Sequence, residues 1–299
     1  MKFGAIIAIL VSIHLPSYAQ VSEEVAGYVQ LDSVVVLAQK DGFEREDFIR
    51  WMQEDTSLYE AFRRLRRMNY SFTTDWAGSY SNGKKPAVYH ARCRQTFDGQ
   101  CRSMQLEDES VQGPVFRKNR NVRYYTLAML MDLFYTPAPV CTGNSNPPGD
   151  AGKSNRISQL KEIIFNPGSG YTIPLIGRKF ELFSERMSPW YQYAWYPRMV
   201  DGERCFVFAI RLNESAPGNK AIVQSMVTYF RQEDLQVVYR SYHLKQQGLV
   251  IFENKIQISV RQNEQGEDYP ALINYTGNWN LPGKRGETGT FELHIMPTK

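Results

Sequence analysis

The sequence has few of the residues from which common catalytic sites are built. It contains four cysteines and four histidines in 299 residues. No two histidines have metal-ligand spacing, and no Gly-x-Ser-x-Gly motif marks a hydrolase nucleophile. Gly152-Lys153-Ser154 lacks the earlier glycine of a phosphate-binding loop, because Pro147 stands there. A zinc site from His90, Cys93 and Cys101 is an alternative that an oxidising compartment disfavours. We therefore predict no catalytic residues, no metal and no cofactor, and favour a role without catalysis.

The sequence also lacks an apolar run long enough to cross a membrane. Lys2 precedes the apolar residues 3–15, a shorter run than the roughly 20 residues of a transmembrane helix. Pro16 then ends the run, and the small residue Ala19 fits a cleavage site. Residues 1–19 are therefore predicted to be a secretory signal peptide. The mature protein is expected in the periplasm or outside the cell, with peripheral contact to the outer membrane as an alternative.

Charge of one sign is not in excess. Lys and Arg number 35 against 31 Asp and Glu, a formal net charge of +4. This balance, without a basic stripe interleaved with aromatic residues, predicts no nucleic-acid partner. Positive charge is concentrated at one predicted helix end, which the helix dipole favours; an anionic lipid or phosphate contact is the alternative. The cluster consists of Arg63, Arg64, Arg66 and Arg67.

Four cysteines in an exported chain allow up to two disulfides among three pairings. They are Cys93, Cys101, Cys141 and Cys205. A two-residue turn at Asp98-Gly99 would place Cys101 opposite Thr96 and Cys93 opposite Met104. Cys93 and Cys101 would then lie on opposite faces of the sheet, where only a longer or bulged loop lets them bond. The disulfide pairing stays open.

The N-terminal region, residues 20–136, combines helical and strand patterns. Apolar residues recur at helical spacing over residues 44–68, which predicts two helices. Strand patterns follow at residues 87–97 and 100–106. Residues 126–134 return to a short apolar helix. This region is therefore predicted to be α+β.

Residues 137–155 are rich in Pro, Gly, Asn and Ser, which predicts a linker before a β-rich C-terminal region, residues 156–299. A helix is expected over residues 157–165, followed by a meander of alternating strands. The chain is therefore predicted to be α+β, with a large, curved, half-barrel-like antiparallel sheet and a few packed helices. The two regions could form one continuous domain. The strands are predicted at 178–186, 191–197, 204–212, 222–231, 235–244, 250–261, 271–279 and 288–296.

One predicted strand is unusually aromatic, with five aromatic residues within seven positions. Alternation places three of them on one face of the sheet and two on the other. Such a strand either packs into the core or lines a cleft for an apolar ligand. We predict these residues as ligand-binding, with core packing as the alternative. They are Tyr191, Tyr193 and Trp195 on one face and Trp190 and Tyr196 on the other.

The C-terminal meander resembles that of periplasmic lipoprotein-carrier and outer-membrane lipoprotein-sorting proteins. The resemblance implies a strongly curved sheet around helices, whose concave side holds acyl chains. The N-terminal half is longer than a minimal carrier of this kind and has strands of its own. The whole chain is also similar to uncharacterised exported envelope proteins of Gram-negative bacteria, in residues 47–49 with 55–56 and in 165–168. The carrier-like segments are Asp201-Gly202-Glu203-Arg204-Cys205-Phe206-Val207-Phe208, Val227-Thr228-Tyr229-Phe230 and Val237-Val238-Tyr239-Arg240.

The preferred function is binding of a hydrophobic or lipid-like ligand in the concavity of the curved sheet. One alternative is an envelope module that presents the aromatic strand or a sheet edge to a partner protein. A second is a hydrolase, which would need His90, His243 or His294 close to a nucleophile and an acid in a cleft. The sequence does not predict the oligomeric state.

Overall fold

Eleven strands form one antiparallel sheet in a computed structural model of the protein, which describes residues 45–81, 86–136, 138–142, 179–217, 221–248, 250–280 and 282–298. The order across the sheet is β4-β3-β2-β1-β11-β10-β9-β8-β7-β6-β5, so β4 and β5 are its edges. The strands are β1 (Tyr70–Tyr80), β2 (Ala87–Phe97), β3 (Cys101–Gln112), β4 (Val140–Cys141), β5 (Tyr191–Val200), β6 (Glu203–Leu212), β7 (Val223–Arg231), β8 (Val237–Gln246), β9 (Ile251–Gln262), β10 (Asp268–Asn280) and β11 (Glu287–Pro297).

Three helices cover one face of this sheet, called the inner face below. They are α1 (Arg45–Glu54), α2 (Ser57–Arg64) and α3 (Tyr125–Phe134), and a 3-10 turn, Leu65–Arg67, follows α2. Their apolar residues join the sheet in one buried core; Leu58 and Leu127 are fully covered. The predicted α+β class, with a curved antiparallel sheet and a few packed helices, is confirmed.

Alternation along β9 shows how the sequence sets the two faces. Ile256 and Ile258 are buried on the inner face, whereas Lys255 and Arg261 are exposed on the other. Successive side chains of a strand point to opposite faces, so this pattern fixes both the orientation and the register of the strand. Six of the seven strands from β5 onward extend past their predicted bounds at one or both ends, and three of the seven, β7, β8 and β9, begin one or two residues later than predicted.

Strands from before and after residues 137–155 belong to the same sheet, because β1 pairs with β11. The pairing runs from Tyr70 opposite Pro297 to Tyr80 opposite Glu287. The predicted signal peptide, residues 1–19, and the helix predicted over 157–165 lie outside the described residues. Within the described residues, no helix has the length and apolar character needed to cross a membrane.

Two sequence expectations about strands are wrong. The described part of the strand predicted over residues 178–186 consists of turns, which lead into a 3-10 helix at Ser188–Trp190. The β2–β3 turn is also displaced, because Asp98 pairs with Cys101 and its carboxylate accepts N–H bonds from Gln100 and Cys101. Gly99-Gln100 therefore forms the turn, with Gly99 at a positive φ of 98°.

This displacement shifts the register by two residues, so Cys93 faces Leu106 rather than Met104. An even shift leaves the faces unchanged, and Cys93 and Cys101 remain on opposite sides of the sheet. Cys101 instead forms a disulfide with Cys141, which joins β3 to β4. That bond removes Cys101 from any zinc site. Cys93 and Cys205 are free and buried, and burial raises the pKa of the Cys93 thiol to about 11.

The junction between α1 and α2 is fixed to the sheet by a buried ion pair. Asp55 accepts a hydrogen bond from Arg240 of β8 at 3.2 Å, and the two side chains are 5% and 1% exposed. The Arg240 Nε–H also donates to the Thr228 hydroxyl. The Asp55 carboxylate also accepts the N–H of Ser57, the first residue of α2, at 3.1 Å, and so provides a partner for a backbone group that has none within the helix. One carboxylate thus positions the start of α2 over the sheet.

A carboxylate from β11 fixes the start of α3. Glu287 is 5% exposed and accepts the N–H groups of Tyr125 at 2.7 Å and Thr126 at 2.6 Å. A negative charge is favourable at this position, because the first N–H groups of a helix have no partner within it. Gly289 allows the close approach, since a Cβ there would lie 2.8 Å from the Thr126 hydroxyl. The two helices that face β8–β10 are therefore each fixed at their N-terminal end.

Candidate functional site

A cavity of about 160 Å³ lies between the helices and the inner face of the sheet. It is called the pocket below. Its floor comes from β8, β9 and β10, and its roof comes from α2, the following 3-10 turn and α3. The lining residues are Tyr59, Phe62, Arg63, Leu65, Arg66, Tyr70, Arg102, Met129, Leu130, Leu133, Phe134, Leu244, Phe252, Asn254, Ile256, Ile258, Ile273, Tyr275 and Trp279.

The floor of the pocket is almost entirely apolar. Ile258 of β9 lies directly opposite Ile273 of β10, and Ile256 lies opposite Tyr275. Cross-strand neighbours share a face, so these four side chains form one continuous buried surface. The floor follows from the strict alternation of the two strands.

The roof is made by the helix faces turned toward the sheet. Phe62 of α2 lies 6.4 Å from Phe134 of α3, measured between ring centroids. Phe134 in turn stacks on Phe291 of β11 at 6.2 Å. These aromatic contacts join the two helices but leave the pocket between them and the floor. Apolar lining of this kind suits an apolar ligand.

A small polar group interrupts the apolar floor. The Trp279 indole N–H donates to the Tyr275 hydroxyl at 2.6 Å, and the Tyr275 hydroxyl donates to the side-chain amide oxygen of Asn254 at 2.9 Å. Burial raises the pKa of Tyr275, so its hydroxyl stays protonated and able to donate. Gly277, opposite Asn254 on β10, leaves room for this bond, because an added Cβ would collide with both partners.

The mouth of the pocket is basic. The exposed residues of the lining are Tyr59, Arg63 and Arg66, and Arg102 of β3 is half-buried beside them. Arg63 pairs with Glu60 at 2.8 Å. In the part of the chain that the structure describes, neither Arg66 nor Arg102 forms an ion pair with an acidic side chain. The predicted cluster at the end of α2 therefore borders an apolar cavity.

The aromatic strand lies elsewhere on the inner face. Trp195 is 7% exposed and packs against Trp51 of α1 at 5.4 Å and against Phe206 at 5.2 Å. The Tyr191 hydroxyl donates to the Val223 carbonyl, and the Tyr193 hydroxyl donates to that of Leu182. None of the five predicted residues lines the pocket. Their contact with a ligand stays a prediction.

The other two aromatic residues lie on different sides of the sheet. Tyr196 packs with Val207 and Tyr229 in a separate cluster on the outer face, as alternation predicts. Trp190 belongs to the 3-10 helix before β5 and packs against the inner core. Trp190 precedes β5, so the alternation of side chains along the strand does not apply to it. Its predicted position on the face opposite Tyr191 was therefore wrong. The five rings therefore do not form one wall.

The three described histidines each pair with a carboxylate, and none of them lines the pocket. His90 contacts Asp75 at 2.8 Å, His243 contacts Glu253 at 2.9 Å, and His294 contacts Glu292 at 2.6 Å. Over the described ranges, no serine, threonine or cysteine hydrogen-bonds to these rings. No group of three or more His, Cys, Asp or Glu there could hold a metal ion. These pairs do not form the cleft with nucleophile, base and acid that a hydrolase needs.

The elements that line the pocket are predictable from the sequence, but the pocket itself is not. Phe62 and Leu65 were visible as the apolar face of a helix, and Ile256 and Ile258 as the dry face of a strand. Whether two apolar faces pack tightly or leave space depends on helix placement, which periodicity does not specify. The one available signal was the arginine cluster immediately beside that apolar helix face.

Fold and pocket together define an α+β protein with an open antiparallel sheet and a helix-covered apolar pocket. No family model and no curated protein matches the sequence. Among solved structures, the chain is similar to a LolA superfamily protein from Nitrosomonas europaea, with 8% identity, a TM-score of 0.24 and coverage of 82% of this chain and 94% of that one.

Two further structures are similar at the same level. A putative outer membrane lipoprotein-sorting protein domain from Vibrio parahaemolyticus has 7% identity, a TM-score of 0.25 and coverage of 90% and 93%. A DUF1329 family protein from Desulfovibrio piger has 8% identity, a TM-score of 0.23 and coverage of 81% and 92%. The likeness includes the lipoprotein-sorting proteins that the C-terminal meander resembles.

Proposed function

We propose that the protein binds a hydrophobic, lipid-like ligand in the pocket between α2, α3 and the sheet. The observation that carries this proposal is the apolar cavity of about 160 Å³ with a floor of buried isoleucines. A void among apolar side chains forfeits packing energy, so an apolar ligand gains by filling it. The sequence resemblance implies the same class of ligand.

The volume sets the part of the ligand that the pocket holds without rearrangement. A dry apolar cavity of about 150 Å³ binds benzene, whereas sites for drug-sized ligands measure about 300–1,000 Å³. The pocket therefore accepts a short alkyl segment, and the remaining carbon atoms and the polar end of an eight-carbon ligand would lie at the mouth. A long acyl chain would have to displace part of the roof, and α2 is the element at the mouth, where Tyr59 and Arg63 are exposed.

Binding of 1-octanol, a neutral amphiphile, tests the proposal. Titration calorimetry should show one saturable site, and Leu133→Trp should abolish binding because the indole would occupy the pocket. Met131→Trp is the matched control, since Met131 lies on the same helix with similar exposure but does not line the pocket. Equal binding by the wild type and Leu133→Trp, or no binding by the wild type, would rule out this function.

The same titration decides whether the aromatic strand contributes to the site. Trp195→Ala should reduce octanol binding in a folded protein if the aromatic residues extend the ligand path. Unchanged binding would assign Trp195 to core packing with Trp51 and Phe206 alone. Circular dichroism of the variant separates loss of binding from loss of fold.

We also propose that the protein works in an oxidising compartment, the periplasm or the cell exterior. The Cys101–Cys141 disulfide supports this location, because such bonds persist outside the reducing cytosol. Alkylation of the denatured protein, freshly isolated from its own cells, should label two of the four cysteines. Labelling of all four would contradict the proposal.

A further inference from the structure

Two guanidinium groups at the pocket mouth differ from the other arginines around them. Arg63 pairs with Glu60, and Arg64 donates to the Asp268 carbonyl oxygen. Arg66 and Arg102 both line the pocket, but over the described ranges neither has a carboxylate partner. They come from separate elements, the turn after α2 and strand β3, and are brought together only by the fold.

Their proximity is unfavourable in the protein alone. Burial lowers the pKa of Arg102, and the nearby positive charge of Arg66 lowers it further. An arginine side chain does not lose its proton under ordinary conditions, so the repulsion between the two groups persists. Tyr70 also borders the site, and burial raises the pKa of its hydroxyl to about 12. A bound anion would relieve the repulsion.

The position of the pair matches one end of an elongated ligand. Arg66 and Arg102 line the same cavity as Ile258 and Ile273, so an apolar chain among the isoleucines would have its polar end at the arginines. The polar group of Asn254, Tyr275 and Trp279 lies at a different level of the sheet. Across the sheet, Asn254 of β9 lies opposite Gly277 of β10, Gly277 lies opposite Gly289 of β11, and Gly289 lies opposite Gly78 of β1. Tyr70, which borders the arginine site, is eight residues before Gly78 on β1, so the two polar regions are separated along the strands.

We propose that the ligand is an anionic amphiphile whose carboxylate or phosphate group binds between Arg66 and Arg102. This inference rests on the proposed function of the pocket. Guanidinium groups suit such anions because their planar N–H donors match two oxygens at once. The carboxylate of a fatty acid and the phosphate of a lipid share this chemistry, and the arms of the experiment distinguish them.

The experiment compares four ligands by titration calorimetry at low ionic strength: 1-octanol, octanoate, octyl phosphate and inorganic phosphate. Charged hydrogen bonds contribute enough to favour at least one of the two anionic amphiphiles over octanol by about 10-fold to 100-fold. Inorganic phosphate, which lacks the tail, should bind at least about 10-fold more weakly than octyl phosphate. Added salt should weaken the binding of the anionic ligands and leave the binding of octanol unchanged.

Variants assign the effect to the two arginines. Arg66→Gln and Arg102→Gln should each lower the affinity for the anionic amphiphile toward the affinity for octanol. Octanol itself should bind as it does to the wild type. Both variants should fold, because removing one guanidinium relieves a repulsion. Arg67→Gln is the matched control, since Arg67 lies in the same turn but does not line the pocket. It should keep the preference of the wild type.

The outcomes separate this inference from the function on which it rests. If octanol fails to bind, the proposed function is wrong. If octanol binds as tightly as both anions, or if the preference survives both glutamine variants, the arginine site is wrong and the apolar pocket stands. If inorganic phosphate binds as tightly as octyl phosphate, the arginines bind a free anion, and the inference that the ligand is an amphiphile is wrong.

Discussion

Gly277 shows how a single missing Cβ shapes the pocket. Gly277→Ala should destabilise the protein by about 1–3 kcal/mol, because the methyl group would collide with Asn254 and the Tyr275 hydroxyl. Urea unfolding followed by fluorescence measures the loss. Thr276→Ala, at the exposed neighbouring position, should change the stability by less than about 0.5 kcal/mol. Equal effects of the two substitutions would contradict this role of Gly277.

The Asp55–Arg240 pair is the second residue-scale feature with a measurable energy. Asp55→Asn should cost about 3–5 kcal/mol, because it leaves the Arg240 charge buried without a counterion. Glu60→Gln breaks the exposed pair with Arg63 and should cost less than about 1 kcal/mol. Both values come from urea unfolding.

A double variant tests the cause of that loss. Arg240→Met in the Asp55→Asn background removes the unpaired charge and should recover part of the stability. Simple addition of the two single effects would show that the residues act independently. In that case α2 would be positioned by its apolar contacts rather than by the ion pair.

At the scale of elements, the shortest strand depends on a covalent bond. β4 has two residues, and Cys141 connects it to Cys101 of β3 across 40 residues of sequence. The double variant Cys101→Ser with Cys141→Ser should lose about 2–4 kcal/mol, mainly because its unfolded chain is less constrained. Thermal unfolding with and without dithiothreitol measures this. The reductant should lower the melting temperature of the wild type only, and an equal shift in the double variant would contradict the assignment.

The elements themselves were largely predictable from sequence, since strict alternation and turn residues bound most strands. Strand β2 begins and ends at the predicted residues, 87 and 97. The predicted β2–β3 register was wrong by two residues. Asp98 lies just before the turn rather than within it, and its carboxylate accepts the N–H groups of Gln100 and Cys101. Local side-chain hydrogen bonds of this kind select among turns that a sequence pattern leaves equivalent.

The candidate site was less predictable than the fold. The five aromatic residues at positions 190–196 were predicted as ligand-binding because aromatic residues are unusually dense there. Trp195 packs against Trp51, however, and none of the five lines the pocket. The pocket is lined by Ile258 and Leu130, residue types that fill every core. Only the distance between helix and sheet distinguishes them from ordinary packing, and that distance is a tertiary property.

At the scale of the whole molecule, the centre of the sheet depends on the C-terminal strand. Removing residues 287–299 would delete β11 and expose the edges of β1 and β10. We expect this truncated chain to aggregate, because unpaired inner strands are templates for intermolecular pairing. Size-exclusion chromatography after refolding measures the monomer fraction. Removal of residues 298–299 alone is the control and should leave a monomer fraction equal to that of the full chain; a soluble, folded 1–286 chain would contradict the expectation.

The pairing of β1 with β11 also determines when the protein can fold. Tyr70 and Pro297 are partners although almost the entire described chain lies between them. Such distant contacts slow folding, because the entropy of closing the loop is lost before the contacts form. The central hydrogen-bond ladder cannot be completed until the last strand has been synthesised. The sheet is therefore expected to stay incomplete through translation, and an incompletely folded chain is the form in which a protein with the proposed location outside the cytosol could pass through a secretion channel.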